Sequence, residues 1–314
     1  MSLLVVGSVA FDDVRTPFGE ARDVLGGSAA YFAIAASYFA DVNLVAVVGD
    51  DFPDECLQLF RDHRVNVEGL ERRVGHTFRW SGEYGFDLSE ATTLATHLNV
   101  FETFEPKIPA SYRTSPYVFL ANIDPVLQLQ VLGQMEAPKL VASDTMNFWI
   151  EGKPAELKET LRHVDLLAIN DSEARELARQ PNIYQAAQAI LAMGPSTLLV
   201  KRGEYGALMF NEEAVFAMPA YPLETVFDPT GAGDSFAGGF MGYLANVDNV
   251  TEATMRQAII MGSVMASFNV EAFSLDRLKA VTYPEIRDRF RAFRRLVHFD
   301  DLDSGELALH RLGS

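Results

Sequence analysis

The sequence lacks several features that would assign it to common protein classes. It has a single cysteine, Cys56, in 314 residues, so no disulfide framework can form within the chain. No apolar run reaches the roughly 18 residues that a membrane-spanning helix needs. The patterns Gly-x-x-x-x-Gly-Lys-Ser/Thr and strand-linked Gly-x-Gly-x-x-Gly are absent, which excludes a P-loop enzyme and argues against a Rossmann dehydrogenase. The six histidines are scattered, so the sequence predicts no zinc site.

Positive charge is also scarce, since 43 acidic residues outnumber 26 basic ones and the formal net charge is −17. This balance argues against a nucleic-acid-binding protein, whose surface should be basic. The N-terminal segment Met1–Gly7 has no basic region and predicts a first β-strand rather than a signal peptide. We therefore expect a cytoplasmic protein that binds neither nucleic acid nor a membrane. Its length and its 48% apolar content fit one large globular domain, residues 1–314.

Short apolar segments alternate with segments of helical pattern. The predicted strands are Leu3–Val6, Val42–Val48, Tyr117–Ala121, Lys139–Ser143, Leu166–Ile169 and Thr197–Val200. The predicted helices are Ser28–Phe39, Asp54–His63, Val126–Met135, Pro154–His163, Ser172–Leu177 and Tyr184–Met193. A hairpin of Gly206–Asn211 with Ala214–Met218, a mostly helical segment after Gly233 and an acidic tail, Asp300–Glu306, complete the prediction. This alternation predicts an α/β fold with a central, mostly parallel sheet flanked by helices.

The most informative segment is Asp228–Phe236, which reads Asp-Pro-Thr-Gly-Ala-Gly-Asp-Ser-Phe and is followed by an apolar helix of small residues. Glycines before a helix start allow backbone N–H groups to point at an anion, and the helix dipole adds positive potential there. A carboxylate beside such a cradle, here Asp234, can deprotonate a hydroxyl that attacks a phosphoryl group. The alternative is a Pro-Gly turn in which Asp234 only caps the helix.

The segment resembles the C-terminal signature of the PfkB/ribokinase family of small-molecule kinases. That signature is Asp or Asn, a small residue or Pro, Thr-Gly-Ala-Gly-Asp, one variable position and an aromatic residue. The resemblance implies a ribokinase-like fold and a kinase that phosphorylates a hydroxyl of a sugar, a polyol or a related small molecule. It implies that Asp234 is the catalytic base and that the amides of Gly231, Ala232 and Gly233 form the anion hole. It also implies ATP and Mg²⁺ as cofactors, and leaves activation by K⁺ open.

Further motifs occur in the order that the family has them. The resemblance assigns acceptor binding to Asp12, Gly26 and Gly27, and a carboxylate such as Asp12 can accept hydrogen bonds from two vicinal hydroxyls. It assigns ordering of Mg²⁺-bound water to the Asn-x-x-Glu motif, Asn170 and Glu173, which is also a good helix-capping box. On the nucleotide side, the residues that we expect from the motifs are Lys201, Gly203, Gly206 and Thr230.

Two positions of the acceptor site depart from the family pattern. Tyr31 stands where the family usually has Asn, and Ser28 replaces the lysine that follows the Gly-Gly pair in ribokinases. Ribose is therefore in doubt as the acceptor, and a nucleoside kinase of the same family is the alternative. The base of a bound nucleoside could lie in an aromatic slot, for which the candidates are Tyr31, Phe32, Trp80 and Phe148. A non-catalytic sensor is a third hypothesis. Asn147 is a candidate acceptor ligand because it follows the carboxyl end of a predicted parallel strand.

Residues 72–104 have no helical periodicity. Thr77–Tyr84 and Thr92–Phe101 carry β-branched and aromatic residues at strand-like spacing, and Gly85–Ser89 can turn a hairpin between them. The segment predicts a small β insertion within the α/β domain. The resemblance implies that it is a lid over the acceptor and that it can mediate a homodimer; an ordinary edge hairpin is the alternative. A lid would exclude water during phosphoryl transfer.

Overall fold

The computed structural model describes residues 1–298, in which a large sheet is covered by helices on both faces. The strands are β1 Ser2–Val6, β2 Ala10–Thr16, β3 Gly19–Gly26, β4 Asp41–Gly49, β5 Val65–Arg73, β6 Phe78–Tyr84, β7 Ala91–His97, β8 Tyr117–Leu120, β9 Leu140–Ser143, β10 Leu166–Asn170, β11 Thr197–Lys201, β12 Ala207–Asn211 and β13 Val215–Met218. The helices are α1 Ser28–Ser37, α2 Asp54–Asp62, α3 Pro125–Leu132, α4 Asn147–Gly152, α5 Pro154–Leu161, α6 Asp171–Ala178, α7 Ile183–Leu191, α8 Ala232–Val247, α9 Glu252–Asn269 and α10 Tyr283–Val297.

The large sheet has nine strands in the order β13-β12-β11-β10-β9-β8-β1-β4-β5. Pairing is parallel from β5 through β11, and β12 and β13 continue the sheet antiparallel. The large sheet has a hydrophobic core on each face, and alternate residues of β1 pack in different cores. Leu3 and Val5 pack with α1 and α8, whereas Leu4 and Val6 pack on the opposite face. The predicted α/β fold with a mostly parallel sheet is confirmed. Continuous apolar strands such as β1 are needed because both faces are buried.

The predicted strands and helices of this sheet are present at closely similar bounds, and so is the β12–β13 hairpin. Sequence analysis missed β5 and the short helix α4. The strand β5 carries charged residues at Glu68, Glu71, Arg72 and Arg73, and it lies at the edge of the sheet, where one side is solvated. The predicted acidic tail, Asp300–Glu306, lies outside the described residues. Among residues 1–298, no helix combines the length and apolarity needed to cross a bilayer.

A second sheet of four strands, in the order β3-β2-β6-β7, lies beside the large one. The hairpin predicted within residues 72–104 supplies β6 and β7, although Asn99–Thr103 forms a 3₁₀ helix rather than the end of a strand. The other half of this sheet, β2 and β3, comes from residues 10–26, which sequence analysis did not assign to strands. The two halves join where β2 pairs in parallel with β6, a contact between segments far apart in the chain.

Close packing of α1 against α8 places two helix N-termini side by side. A Cβ atom at Gly238 would lie 2.4 Å from the carbonyl oxygen of Phe32, and one at Gly242 would lie 3.0 Å from the Cα of Ala36. Real Cβ atoms need more room, so the two backbones approach this closely only because α8 has glycine there. The packing brings the Gly26-Gly27 turn, which precedes α1, next to the Asp228–Asp234 segment, which leads into α8.

Candidate active site

The predicted cradle, Gly231–Gly233, lies at the N-terminus of α8. Gly231 is the N-cap residue of α8 and has the left-handed conformation, with φ 74° and ψ 2°. A Cβ atom there would lie 2.3 Å from Cγ of Tyr31, whose ring packs directly against the glycine. Conformation and space both require glycine at this position. In the structure the N–H of Ala232 donates to the carbonyl of Pro229, at 3.1 Å.

The loop that leads into the cradle is held by hydrogen bonds on all sides. Buried Asp228 accepts from the N–H of Thr230 at 2.9 Å through Oδ1, and from the N–H of Ser274 at 3.1 Å through Oδ2. Asn269 Nδ2 donates to the carbonyl of Thr230 at 2.7 Å. Burial raises the pKa of Asp228, and the donors from Thr230 and Ser274 oppose that rise. Sequence analysis saw Asp228 only as part of the signature and gave it no role in the site.

A lysine and three carboxyl groups meet at the carboxyl edge of the large sheet, beside the cradle. Nζ of Lys201, at the end of β11, lies 3.0 Å from Oδ2 of Asp144, which follows β9; Asp144 is buried and the Lys201 side chain is 16% exposed. A Cβ atom at Gly233 would lie 3.1 Å from the same Nζ, so Lys201 also contacts the first turn of α8. Because parallel strands end at one edge, the fold gathers residues that are distant in sequence.

The protonation of this cluster reflects burial and repulsion between the carboxyl groups. Burial, then the charge of Asp144, raise the pKa of Asp234 to about 8, while Lys201 opposes the rise. Burial and Asp144 likewise raise the pKa of Glu173 to about 7. Burial lowers the pKa of Lys201, but the charges of Asp144, Glu173 and Asp234 outweigh that effect and leave the pKa above its usual value. One lysine therefore faces three acids, and an additional cation would relieve their repulsion.

Asn170 and Glu173 form the predicted capping box at the start of α6. The N–H of Asn170 donates to Oε2 of Glu173 at 2.8 Å, and the N–H of Glu173 donates to Oδ1 of Asn170 at 2.7 Å. The capping alternative is thus confirmed, and the other carboxylate oxygen of Glu173 takes no part in the box. Within residues 1–298, no three His, Cys, Asp or Glu side chains are grouped closely enough to hold a metal by themselves.

The acceptor residues predicted near the N-terminus lie together on the other side of the cradle. Asp12 lies buried in β2 of the second sheet, in a segment that sequence analysis did not assign to a strand. A Cβ atom at Gly26 would lie 1.9 Å from Oδ2 of Asp12, so the carboxylate occupies the space above that glycine. Burial, then the charge of Asp228, raise the pKa of Asp12 to about 7, and the N–H of Gly27 opposes the rise.

Tyr31 is 1% exposed, and its hydroxyl has no hydrogen-bond partner among the described residues. Burial, then the charges of Asp12 and Asp228, hold its pKa well above the usual value, so the phenol is neutral. The buried Oγ1 of Thr145, directly after Asp144, is likewise without a partner there. Buried polar groups are normally paired. Both hydroxyls are therefore sites at which a bound molecule would gain a hydrogen bond.

Other predicted residues lie outside this arrangement or have structural roles. Asn147 is exposed on the first turn of α4. Gly203 and Gly206 form the turn between β11 and β12, and a Cβ atom at Gly206 would lie 1.9 Å from the carbonyl oxygen of Met218. Their contact with nucleotide remains a prediction. Phe32 is buried and stacks on Phe119 with ring centroids 4.3 Å apart, so it belongs to the core and not to an aromatic slot.

The β6–β7 hairpin contributes a residue that sequence analysis did not consider. Tyr84, the last residue of β6, accepts a hydrogen bond from Oγ1 of Thr230, at 3.2 Å. Two residues earlier along the strand, Gly82 provides space for the ring of Trp80, whose Nε1 donates to Oγ1 of Thr93. A tyrosine at the end of an exposed-looking strand carries no sequence signal of such a contact.

A glycine-rich helix N-terminus, with a carboxyl group and a lysine beside it at the carboxyl edge of a parallel sheet, is an arrangement suited to phosphoryl transfer. The pfkB family carbohydrate kinases match residues 4–278, and the chain belongs to this family. It is therefore a kinase with a hydroxyl acceptor, and ATP use is expected for the family. The predicted resemblance is confirmed.

Known proteins similar to this chain include kinases of different acceptors. A cytidine kinase of Thermococcus kodakarensis is 29% identical over 248 residues, 77% of this chain and 87% of that protein. The structure of a nucleoside kinase of Methanocaldococcus jannaschii has a TM-score of 0.74 at 20% identity and covers 93% of this chain and 98% of that one. A fructokinase of Vibrio cholerae, solved with fructose, ADP and calcium, has a TM-score of 0.77 at 18% identity over 92% and 98% of the chains. The two structures support the ribokinase-like fold.

Proposed function

We propose that this protein transfers the γ-phosphoryl group of ATP to a ribose hydroxyl of a nucleoside, with a free sugar or polyol as the second candidate acceptor. The observation that carries the transfer chemistry is the position of Asp234 in the first turn of α8, next to the backbone cradle and to Lys201. The nucleoside is supported by the similarity to a cytidine kinase and by the replacement of the family's usual Asn by Tyr31.

Asp234 acts as the general base in this proposal. It takes the proton from the acceptor hydroxyl as the oxygen forms its bond to the γ-phosphorus and the bond from that phosphorus to the ADP oxygen breaks. A pKa of about 8 suits the role, because a base is most effective when its pKa lies near the working pH. The amides of Gly231 and Gly233 and the ammonium group of Lys201 stabilise the negative charge on the transferred group, and the amide of Ala232 joins them once it releases the carbonyl of Pro229. Asp12 binds the acceptor hydroxyls.

The donor set fits Mg²⁺ that is held largely by the nucleotide. Asp144 and Glu173 offer hard oxygen ligands near Lys201, and the unpartnered hydroxyl of Thr145 lies beside them. Because the described residues include no three-ligand cluster, Glu173 would contact the metal through water. When bound, Mg²⁺ neutralises phosphate charge. K⁺ is the second cation to test.

The second sheet would act as a lid and as the contact of a homodimer. Its edge strand β7 leaves Leu94 53% exposed, and the β6–β7 turn leaves Phe86 93% exposed. An exposed edge strand with an apolar side chain is suited to pairing with a second copy. Light scattering coupled to gel filtration would show a dimer that a Leu94→Lys variant weakens; a monomeric parent protein would remove this part of the proposal.

An ADP-release assay over a panel of nucleosides, sugars and polyols tests the proposal. We expect turnover to be highest with a nucleoside and to fall by roughly 10²–10⁴-fold in Asp234→Asn, with ATP binding retained. The control is Asp54→Asn, because the Asp54 side chain is 85% exposed on α2. Higher turnover with a free sugar would overturn only the choice of a nucleoside as the acceptor. Near-normal turnover of Asp234→Asn would overturn the role of the base, and no turnover with any acceptor would favour a sensor.

A further inference from the structure

The second sheet is hydrogen-bonded to the loop that precedes the cradle, Phe227–Thr230. Oγ1 of Thr16, at the end of β2, donates to the carbonyl of Phe227 at 2.9 Å. At the other end of the loop, Oγ1 of Thr230 donates to the Tyr84 hydroxyl of β6. The same loop is tied to β3 indirectly, because Ser274, whose N–H donates to Asp228, also donates its hydroxyl to the carbonyl of Leu25. The loop is thus held between the second sheet and the helices that cover the large sheet.

Tyr84 holds the side chain of the residue next to the cradle. The N–H and the carbonyl of Thr230 are engaged by Asp228 and Asn269, which leaves the side-chain hydroxyl as the remaining polar group of this residue. That hydroxyl is fixed by Tyr84, from a segment 146 positions away. Tyr84 accepts this bond, so its own proton stays free to donate. Burial raises the pKa of Tyr84 to about 12, and the phenol therefore keeps that proton at neutral pH.

The next residue, Gly231, is confined from another side. The ring of Tyr31 packs against its Cα, and its positive φ sets the direction of the following amides. Glycine has no side chain with which to hold that conformation, so the neighbouring contacts must do so. One of these contacts belongs to α1, through Tyr31, and the other belongs to the second sheet, through Tyr84 and Thr230.

We propose that Tyr84 is a positioning residue: its hydroxyl holds Thr230 and thereby aligns the amides of Gly231–Gly233, so that the anion hole is in place only while the second sheet packs on the loop. The effect of Tyr84 on turnover rests on the proposed function, whereas its effect on the conformation of the loop does not. Misaligned amides would stabilise the transferred group less well, and this loss affects the transition state more than the binding of ATP. The arrangement also limits ATP hydrolysis when the second sheet is displaced.

Hydrogen–deuterium exchange of the peptide that spans residues 228–235 tests the alignment without any turnover. Tyr84→Phe removes one hydroxyl, and Thr230→Val removes its partner without a large change in shape. We expect each variant to speed exchange of this peptide by about fivefold, the effect of one typical hydrogen bond, and the double variant to match the single ones. The matched control is Tyr243→Phe, which removes a tyrosine hydrogen bond to Gln257 between α8 and α9.

Kinetics provide the second readout. We expect Tyr84→Phe to lower kcat several-fold, with the KM for ATP unchanged, and to lower ATP hydrolysis in the absence of acceptor by a similar factor. If Tyr84→Phe and Thr230→Val match Tyr243→Phe in exchange and in kcat while Asp234→Asn is inactive, the positioning role is overturned and the proposed function stands. If the parent protein transfers phosphate to no acceptor, the proposed function fails and exchange alone decides the role of Tyr84. Should Tyr84→Phe fail to fold, Thr230→Val probes the same bond.

Discussion

Replacing Asp12 with asparagine should stabilise the protein above neutral pH while it damages acceptor binding. Asp12 is buried in β2, near the buried Asp228, and its pKa is raised from 3.8 to about 7. In the unfolded chain the carboxyl ionises near 3.8, whereas the folded protein keeps its proton until about pH 7. Folding stability from this group is therefore fully present below pH 3.8 and is lost as the pH rises to about 7.

The size of the effect follows from the pKa difference. A difference of about three units corresponds to about 4 kcal/mol, at 1.36 kcal/mol for each unit. Asparagine has nearly the same shape and carries no charge, so Asp12→Asn should avoid this penalty. Relative to the parent, we expect the variant to gain nothing near pH 4 and about 4 kcal/mol in the free energy of unfolding at pH 8, without ligand.

Urea unfolding at pH values from 4 to 9 measures this difference. The control is Asp54→Asn, because the Asp54 side chain is 85% exposed on α2 and lies outside the group of carboxyls that raise the pKa of Asp12. We expect the stability curve of the control to run parallel to that of the parent protein. A curve for Asp12→Asn that also runs parallel to the parent would refute the argument that the buried charge opposes folding. Acceptor KM should rise in Asp12→Asn under all conditions.

Two further predictions concern the cradle and its lysine. Gly231→Ala should destabilise the protein by about 1–3 kcal/mol and suppress transfer, since the residue has φ 74° and no room for a Cβ atom. The control in thermal unfolding is Gly152→Ala, because a Cβ atom at Gly152 would have no atom within 4 Å. Equal melting temperatures of the two variants would contradict the prediction. Lys201→Met should lower the free energy of unfolding by about 3–5 kcal/mol at neutral pH, because it leaves Asp144 buried and without its ion-pair partner. It should also weaken ATP binding, which calorimetry measures. Unchanged stability would show that this ion pair is solvated.

Local features of the fold and the site were predictable from sequence. The parallel strands follow from continuous apolar runs, and the capping box of Asn170 and Glu173 follows from a spacing of three residues. The aromatic slot was less predictable. Nearly every position of α1 is buried, so its residues show little periodicity, and the pattern cannot tell that Phe32 faces the core while Tyr31 faces Gly231.

By itself the sequence determined the local structure of the segment that leads into α8, because the features that build it are local. A glycine that accepts positive φ, a helix start and Asp234 in the first turn lie within a few residues of one another. The tertiary structure alone decided which distant groups meet there. The pairing of β2 with β6, the contact of Lys201 with Asp144 and the bond from Thr230 to Tyr84 each join segments that are far apart in the chain. Such contacts arise from how the sheets and helices pack together, and no local pattern records them.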